Sequence, residues 1–194
     1  ATQLKSALNS ITNGASAVPA PTSLTGTSTV ASTNALSATG TVRIAVTDQS
    51  GKRVSYQDID LSSYSTVGGL VTALNGISGV SASIDSSGHL AISSTASGDG
   101  VTINDMTSSV SGVGFSDYFG MNDLVTGTGA SDFSVRSDIL SGVAGLPTDT
   151  LDGSATLTTG SQVLASGSAT VINSLDDALT SSRSFSAAGG LSAT

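Results

Sequence analysis

The sequence predicts a mainly β fold with a few short helices. This is an α+β class: a small antiparallel β unit plus a second β/α part, linked by an aromatic anchor segment. Three observations point there. Short runs of alternating apolar and polar residues recur between residues 41 and 104, separated by Gly-, Ser- and Asp-containing turns. All fourteen acids are Asp, a residue of turns and helix starts rather than of long solvated helices. Helical stripes are confined to short stretches.

The elements follow in chain order. In "TQLKSALNSIT", residues 2–12, Leu4, Leu8 and Ile11 fall at i, i+4, i+7 and predict a helix. Asn13-Gly14 then reads as a left-handed stop. The stripe looks like the end of a longer helix, and a chain beginning at Ala rather than Met reads as a fragment. Residues 15–40 are rich in Ser, Thr, Ala and Pro and are expected to be an extended linker or a loose edge.

From residue 41 the pattern is β. "TVRIAVTD", the turn "QSGK" and "RVSYQDIDL" predict a hairpin. Ser65 or Thr66 can cap a helix carrying Val67, Leu70, Val71 and Leu74 on one face, ended by Asn75-Gly76. "GVSASID", "LAISST" and "VTIND" are three further short strands. The unit therefore reads β-β-α-β-β-β, with one helix to cover a sheet face. Later, residues 132–138 read as a strand through Phe133 and Val135. Residues 141–167 read mostly as loop. A last helix places Val171, Leu175, Ala178 and Leu179 on one side, with Ser166 or Ser168 as its cap. "SFSAAGGLSAT" closes the chain as a loop. The resulting organisation is residues 1–39 as helix end and linker, 40–110 as a β-rich insert domain, and 111–194 as a second β/α domain.

Composition narrows the function. Charged residues are 10% of the chain and the net charge is −8. Six scattered Lys and Arg cannot neutralise a phosphate track, so nucleic acid is not an expected partner. An acidic chain is equally unsuited to anionic membrane surfaces, and no apolar run approaches the ~20 residues of a membrane span. Without Cys there are no disulfides, thiolate metal sites or Cys nucleophiles. The one His, His89, sits in a turn and reads as an exposed turn residue. Asp99, Asn104 and Asp105 in "SGDGVTIND" offer oxygens for Ca²⁺, but they lack the EF-hand terminal Glu and any nonapeptide repeat. "GGL" and "GDG" make neither a P-loop nor a dinucleotide fingerprint. The expectation is a non-enzyme with no catalytic residues, no metal site, no cofactor and no small-molecule substrate.

One stretch departs from this background. "GFSDYFGMNDL", residues 114–124, holds Phe115, Tyr118 and Phe119. The whole chain has only four Phe, three Tyr and no Trp. Phe115, Tyr118, Phe119 and Asn122 are spaced i, i+3, i+4, i+7, so a helical turn gathers the aromatics on one side. Full burial of three aromatics is worth up to roughly 5–9 kcal/mol, against a net domain stability of about 5–15 kcal/mol. Together with Asn122 and Asp123, these residues are expected to form a buried structural anchor rather than an exposed recognition patch.

This stretch, the following "ASDFSVRSDIL" and the final "SFSAAGGLSAT" resemble, in that order, the family of bacterial flagellar hook-associated protein 1, the first of two hook–filament junction proteins. The family pattern is an aromatic "F…YFGLND" stretch, a strand with "V-R-x-d-I", and an "F…AGGL" approach to a terminal helix. Met121 stands here where Leu is usual. The likeness covers residues 114–194, with a weaker one to the variable β insert over 40–110. It implies a structural subunit exported by the flagellar type III route, lying outside the cell at the hook–filament junction. Its implied partners are copies of itself in a ring, the hook protein and the second junction protein. This fragment would be the outer part, without the terminal coiled-coil helices. An adhesin, or a carbohydrate- or Ca²⁺-binding β module of a surface protein, is the alternative from composition.

Overall fold

A computed structural model describes residues 2–181. The helices are α1 (Thr2–Asn13), α2 (Val67–Leu74), α3 (Phe115–Phe119), α4 (Ser137–Leu140) and α5 (Thr170–Thr180). The strands are β1 (Ser23–Thr29), β2 (Ala38–Thr39), β3 (Thr41–Thr47), β4 (Arg53–Asp60), β5 (Val80–Ile84), β6 (His89–Ser94), β7 (Gly100–Asn104), β8 (Ser109–Val110), β9 (Val125–Thr126) and β10 (Ser134–Val135). The fold is the expected α+β, with mostly antiparallel strands and a few short helices.

Two three-stranded antiparallel sheets, ordered β4-β3-β7 and β1-β6-β5, dominate. They share the largest core. Val42, Ile44 and Val46 of β3 enter it from one sheet, and Ala82, Leu90 and Ile92 from the other. Leu70 and Leu74 of α2 join them. The N-cap of α2 is Thr66, whose side chain accepts a hydrogen bond from the Gly69 N–H, the expected use of a hydroxyl at that position. Asn75 ends the helix in a right-handed conformation. Its side chain pairs with both backbone groups of Ala82, holding α2 against β5.

β3 is buried on both faces, although only one was expected to be. Its opposite face carries Arg43, Ala45 and Thr47, all fully buried. A strap, residues 151–164, lies over it and inserts Leu151, Leu157, Val163 and Leu164 beside Ala45 and Ala20. The strap has no regular structure, so its backbone groups need partners elsewhere. Arg43 supplies two of them, donating from Nη1 to the carbonyls of Asp152 (3.0 Å) and Ser154 (2.7 Å). Its Nε and Nη2 grip Asp58 at 2.6 and 2.8 Å. That fork-to-fork pairing is what makes burial of a guanidinium tolerable. Arg53 donates to the Leu157 carbonyl and the Thr159 hydroxyl. Both guanidinium carbons lie 4.8 Å from the Tyr56 ring centroid, within cation–π range.

Several local expectations are corrected. Of the two readings of residues 15–40, the linker is replaced by the edge: β1 pairs with β6 at the edge of its sheet, and β2 pairs with β8. β1 was hidden by its composition, "SLTGTST", in which Leu24 is the one large apolar residue. Gly26 lies against the Phe119 carbonyl, where a Cβ would collide. The strand expected over 132–138 is limited to Ser134–Val135, and Ser137 starts α4. α1 ends at Asn13 without a left-handed residue. The cap position of α5 is Ala169, with no side-chain cap, rather than Ser166 or Ser168. Val171 and Leu175 face inward as expected, whereas Leu179 is exposed. The "SFSAAGGLSAT" segment with Phe185 lies outside the described residues.

Candidate functional site

The anchor segment follows β8 directly. α3 is a single short helix whose N-cap, Gly114, has no side chain to offer. The capping group comes instead from Asp105, just past β7. Its Oδ1 accepts from the Ser116 N–H (2.9 Å) and the Ser116 hydroxyl (2.7 Å). Burial raises the Asp105 carboxyl above its ordinary pKa; the Ser116 bonds oppose this, and the Asp117 charge adds to it. At the other end Gly120 takes a left-handed φ of 66°. A side chain there would collide with Thr27, so this stop suits glycine.

The helical turn gathers the aromatics as expected. Phe115 and Phe119 are fully buried and belong to the large core, together with Met121. Their centroids are 4.9 Å apart, and Tyr118 packs edge-on against Phe119 at 4.9 Å. Both are favourable aromatic geometries. Tyr118 itself is only partly buried.

The polar residues of the segment turn toward a different structure. α1 and α5 pack together over a small core of Leu8, Ala15, Val125, Val171 and Leu175, forming a helical stem. Asn122 Nδ2 donates to the Ala15 carbonyl at 2.6 Å. Asp117 accepts from Asn13 at 3.0 Å. Asn9 of α1 donates to the Val125 carbonyl at 2.9 Å and accepts from the Leu124 and Val125 N–H groups. Asp123 accepts from the Thr27 hydroxyl of β1 at 2.5 Å. Residues 115–125 therefore place aromatics in the β core and amides on the stem. The segment is a packed joint that contacts both.

Sequence reasoning singled out Phe115, Tyr118, Phe119, Asn122 and Asp123, of which all but the partly buried Tyr118 are buried. It missed the other half of the joint: Asn9, Asn13, Thr27 and Asp105. Asn9 and Asn13 carried no local signal, because they lie off the Leu4, Leu8, Ile11 stripe of α1 and their burial is created by the packed segment. Arg43 and Arg53 were also missed. Their scarcity, two of six cations in the chain, was the available clue.

The other candidates do not converge. His89 is not an exposed turn residue as expected: it is half-buried as the first residue of β6, its N–H bonded back to Asp85, with Nδ1 3.6 Å from Asp85 Oδ2. Hydrogen bonding, chiefly from the His89 N–H, holds the Asp85 carboxyl below its usual range. Of the Ca²⁺ candidates, Asn104 donates to the Leu151 carbonyl and accepts from the Met106 N–H, and Asp105 is committed to α3. Among the described residues no three His, Cys, Asp or Glu side chains group as for a metal ion, and no helix is long and apolar enough to cross a membrane.

The architecture is thus a two-sheet unit joined through a packed segment to a pair of helices. Residues 23–96 match the family model described as the flagellin hook IN motif. The match begins at the first residue of β1 and ends just beyond β6. It supports a flagellin-like protein with a structural role in the flagellum. No curated protein matches the chain.

Proposed function

We propose that the chain is the outer part of a flagellar junction subunit, connecting hook to filament within a ring. The hook IN motif over residues 23–96 carries the flagellar part of this reading. The junction part rests on the anchor and "SVRSDIL" segments, which resemble hook-associated protein 1. On this reading the protein is exported unfolded by the type III route and works outside the cell without catalysis. Its partners are its own copies, the hook protein and the second junction protein. The β unit is carried on the stem, and the joint at 115–125 transmits force between them.

Immunogold labelling of intact flagella, with antibody against residues 1–194, tests the assignment. Gold confined to the hook–filament boundary is expected. Gold along the whole filament would indicate a filament subunit instead. Gold on the cell surface away from flagella would point to the adhesin alternative.

A further inference from the structure

The chain contains two Asn-Gly pairs, Asn13-Gly14 and Asn75-Gly76, and the structure treats them differently. Asn-Gly is chemically labile. Glycine has no Cβ to obstruct attack by its own backbone nitrogen on the preceding side-chain amide, and it visits the unusual conformations this needs. Asn13 is almost wholly buried between stem and joint, with Nδ2 donating to Asp117. Asn75 and Gly76 are exposed at the end of α2. Around a Cβ placed on Gly76, only the Ala73 carbonyl comes close, at 3.1 Å.

We propose that Asn75 is a site of spontaneous deamidation in the folded protein. The Gly76 nitrogen attacks Asn75 Cγ, forming a C–N bond and a succinimide ring; the Gly76 proton leaves with Nδ2 as ammonia. Water then opens the ring to aspartate or isoaspartate. The folded structure gates the reaction. The Gly76 N–H is held by the Ala73 carbonyl at 2.9 Å. Asn75 Nδ2 donates to the carbonyls of Val71 (2.9 Å) and Ala82 (2.7 Å), and Oδ1 accepts from the Ala82 N–H (2.9 Å). The bonds to Ala73 and Val71 lie in the exposed turn, and the two to Ala82 are part-buried against the edge strand β5; all four open by local fluctuation, without global unfolding. Asn13 is released only when stem and joint separate.

The modification has a structural consequence. A carboxylate accepts hydrogen bonds but donates none. It cannot serve the carbonyls of Val71 and Ala82, so of the pin between α2 and the edge of β5 only the bond from the Ala82 N–H is left. Deamidation is thereby an ageing mark that loosens the β unit.

Peptide mapping by mass spectrometry tests this after prolonged incubation of the full chain in mildly alkaline buffer, folded and in urea. In the folded chain, amide-to-acid conversion is expected at Asn75 and not at Asn13; in urea both convert. Gly76→Ala, at a position without positive φ where the new Cβ meets the Ala73 carbonyl at 3.1 Å, loses the Asn75 signal in both conditions. Asn75→Asp reproduces the effect of ageing as a lower denaturation midpoint. An Asn75 that stays an amide in the folded chain while converting in urea would overturn the proposal. So would conversion of Asn13 at an equal or faster rate, or an unchanged midpoint for Asn75→Asp.

Discussion

The β unit and the helical stem solve the same problem with different means. Among the described residues, the unit and the joint's Phe115, Phe119 and Met121 share one continuous core of twenty-two buried apolar residues, and β3 is covered on both faces. Among the described residues the stem core has five buried apolar residues, and polar groups complete the contact: Asn9 on Val125, Asn122 on Ala15, and the Lys5 ammonium on the Gly127 carbonyl at 2.9 Å. Hydrophobic burial is non-directional and adds with area. Hydrogen bonds add little net stability but fix position. The β unit is therefore the source of cohesion, and the stem contact sets the geometry of attachment. The joint belongs to both, which is why the aromatics and the amides of one short segment face different ways.

The largest break in this comparison should come from Phe119→Ala. It removes a fully buried ring from the core beneath β1 and is expected to cost about 3–5 kcal/mol in denaturant melts. A loss below about 1 kcal/mol would contradict the anchor role. Arg43→Ala comes next, at about 3 kcal/mol, the low end for breaking a buried pair, because Asp58 keeps some solvent. Limited proteolysis should then cut the 151–164 strap while the two sheets persist.

Asn122→Ala is expected to cost about 1–3 kcal/mol by leaving the buried Ala15 carbonyl unpaired. Its effect should be local: amide exchange quickens at Val125 and in α1, while β3 is unchanged. Equal loss of protection in β3 would erase the distinction between the two regions.

Asp105→Asn sharpens the comparison through pH. Burial raises the Asp105 pKa in the folded state, so the folded chain holds this proton more tightly than the unfolded one. That contribution to stability is present below the ordinary Asp pKa and fades as pH rises through the folded value. Asp85, Asp132 and Asp138, all lowered, act in the opposite sense and lose their contribution as pH falls. Asn keeps an acceptor for the Ser116 N–H and has no charge to desolvate. Relative to the wild type, the variant should therefore gain stability from acid to neutral pH in parallel melts. The smallest effect is expected for Leu179→Ser on the exposed side of α5, within about 0.5 kcal/mol.

How far the sequence reveals this architecture differs by element for physical reasons. The β3–β4 hairpin, α2 with its Thr66 cap and the strands β5 to β7 follow from alternation and turn chemistry, which are local. β1 does not, because its partner β6 and the close approach at Gly26 are supplied by residues 60 or more positions away. The double burial of β3 was also hidden. Arg43 reads as the solvent side of an alternating strand until the strap is seen to cover it. Phe133 and Val135 suggested a longer strand; the phase breaks at Ile139 because α4 has already begun. In the joint, the aromatics stood out by scarcity. Asn9 and Asp105 did not, since their roles exist only once stem and sheets are brought together.

Native-state hydrogen exchange of wild type and Phe119→Ala tests the central claim most directly. If residues 115–125 join the two regions, one substitution in the β core should weaken protection of both β3 and the Val125 amide bound to Asn9. Loss confined to β3, with Val125 as protected as before, would show that the segment packs beside the stem without coupling to it.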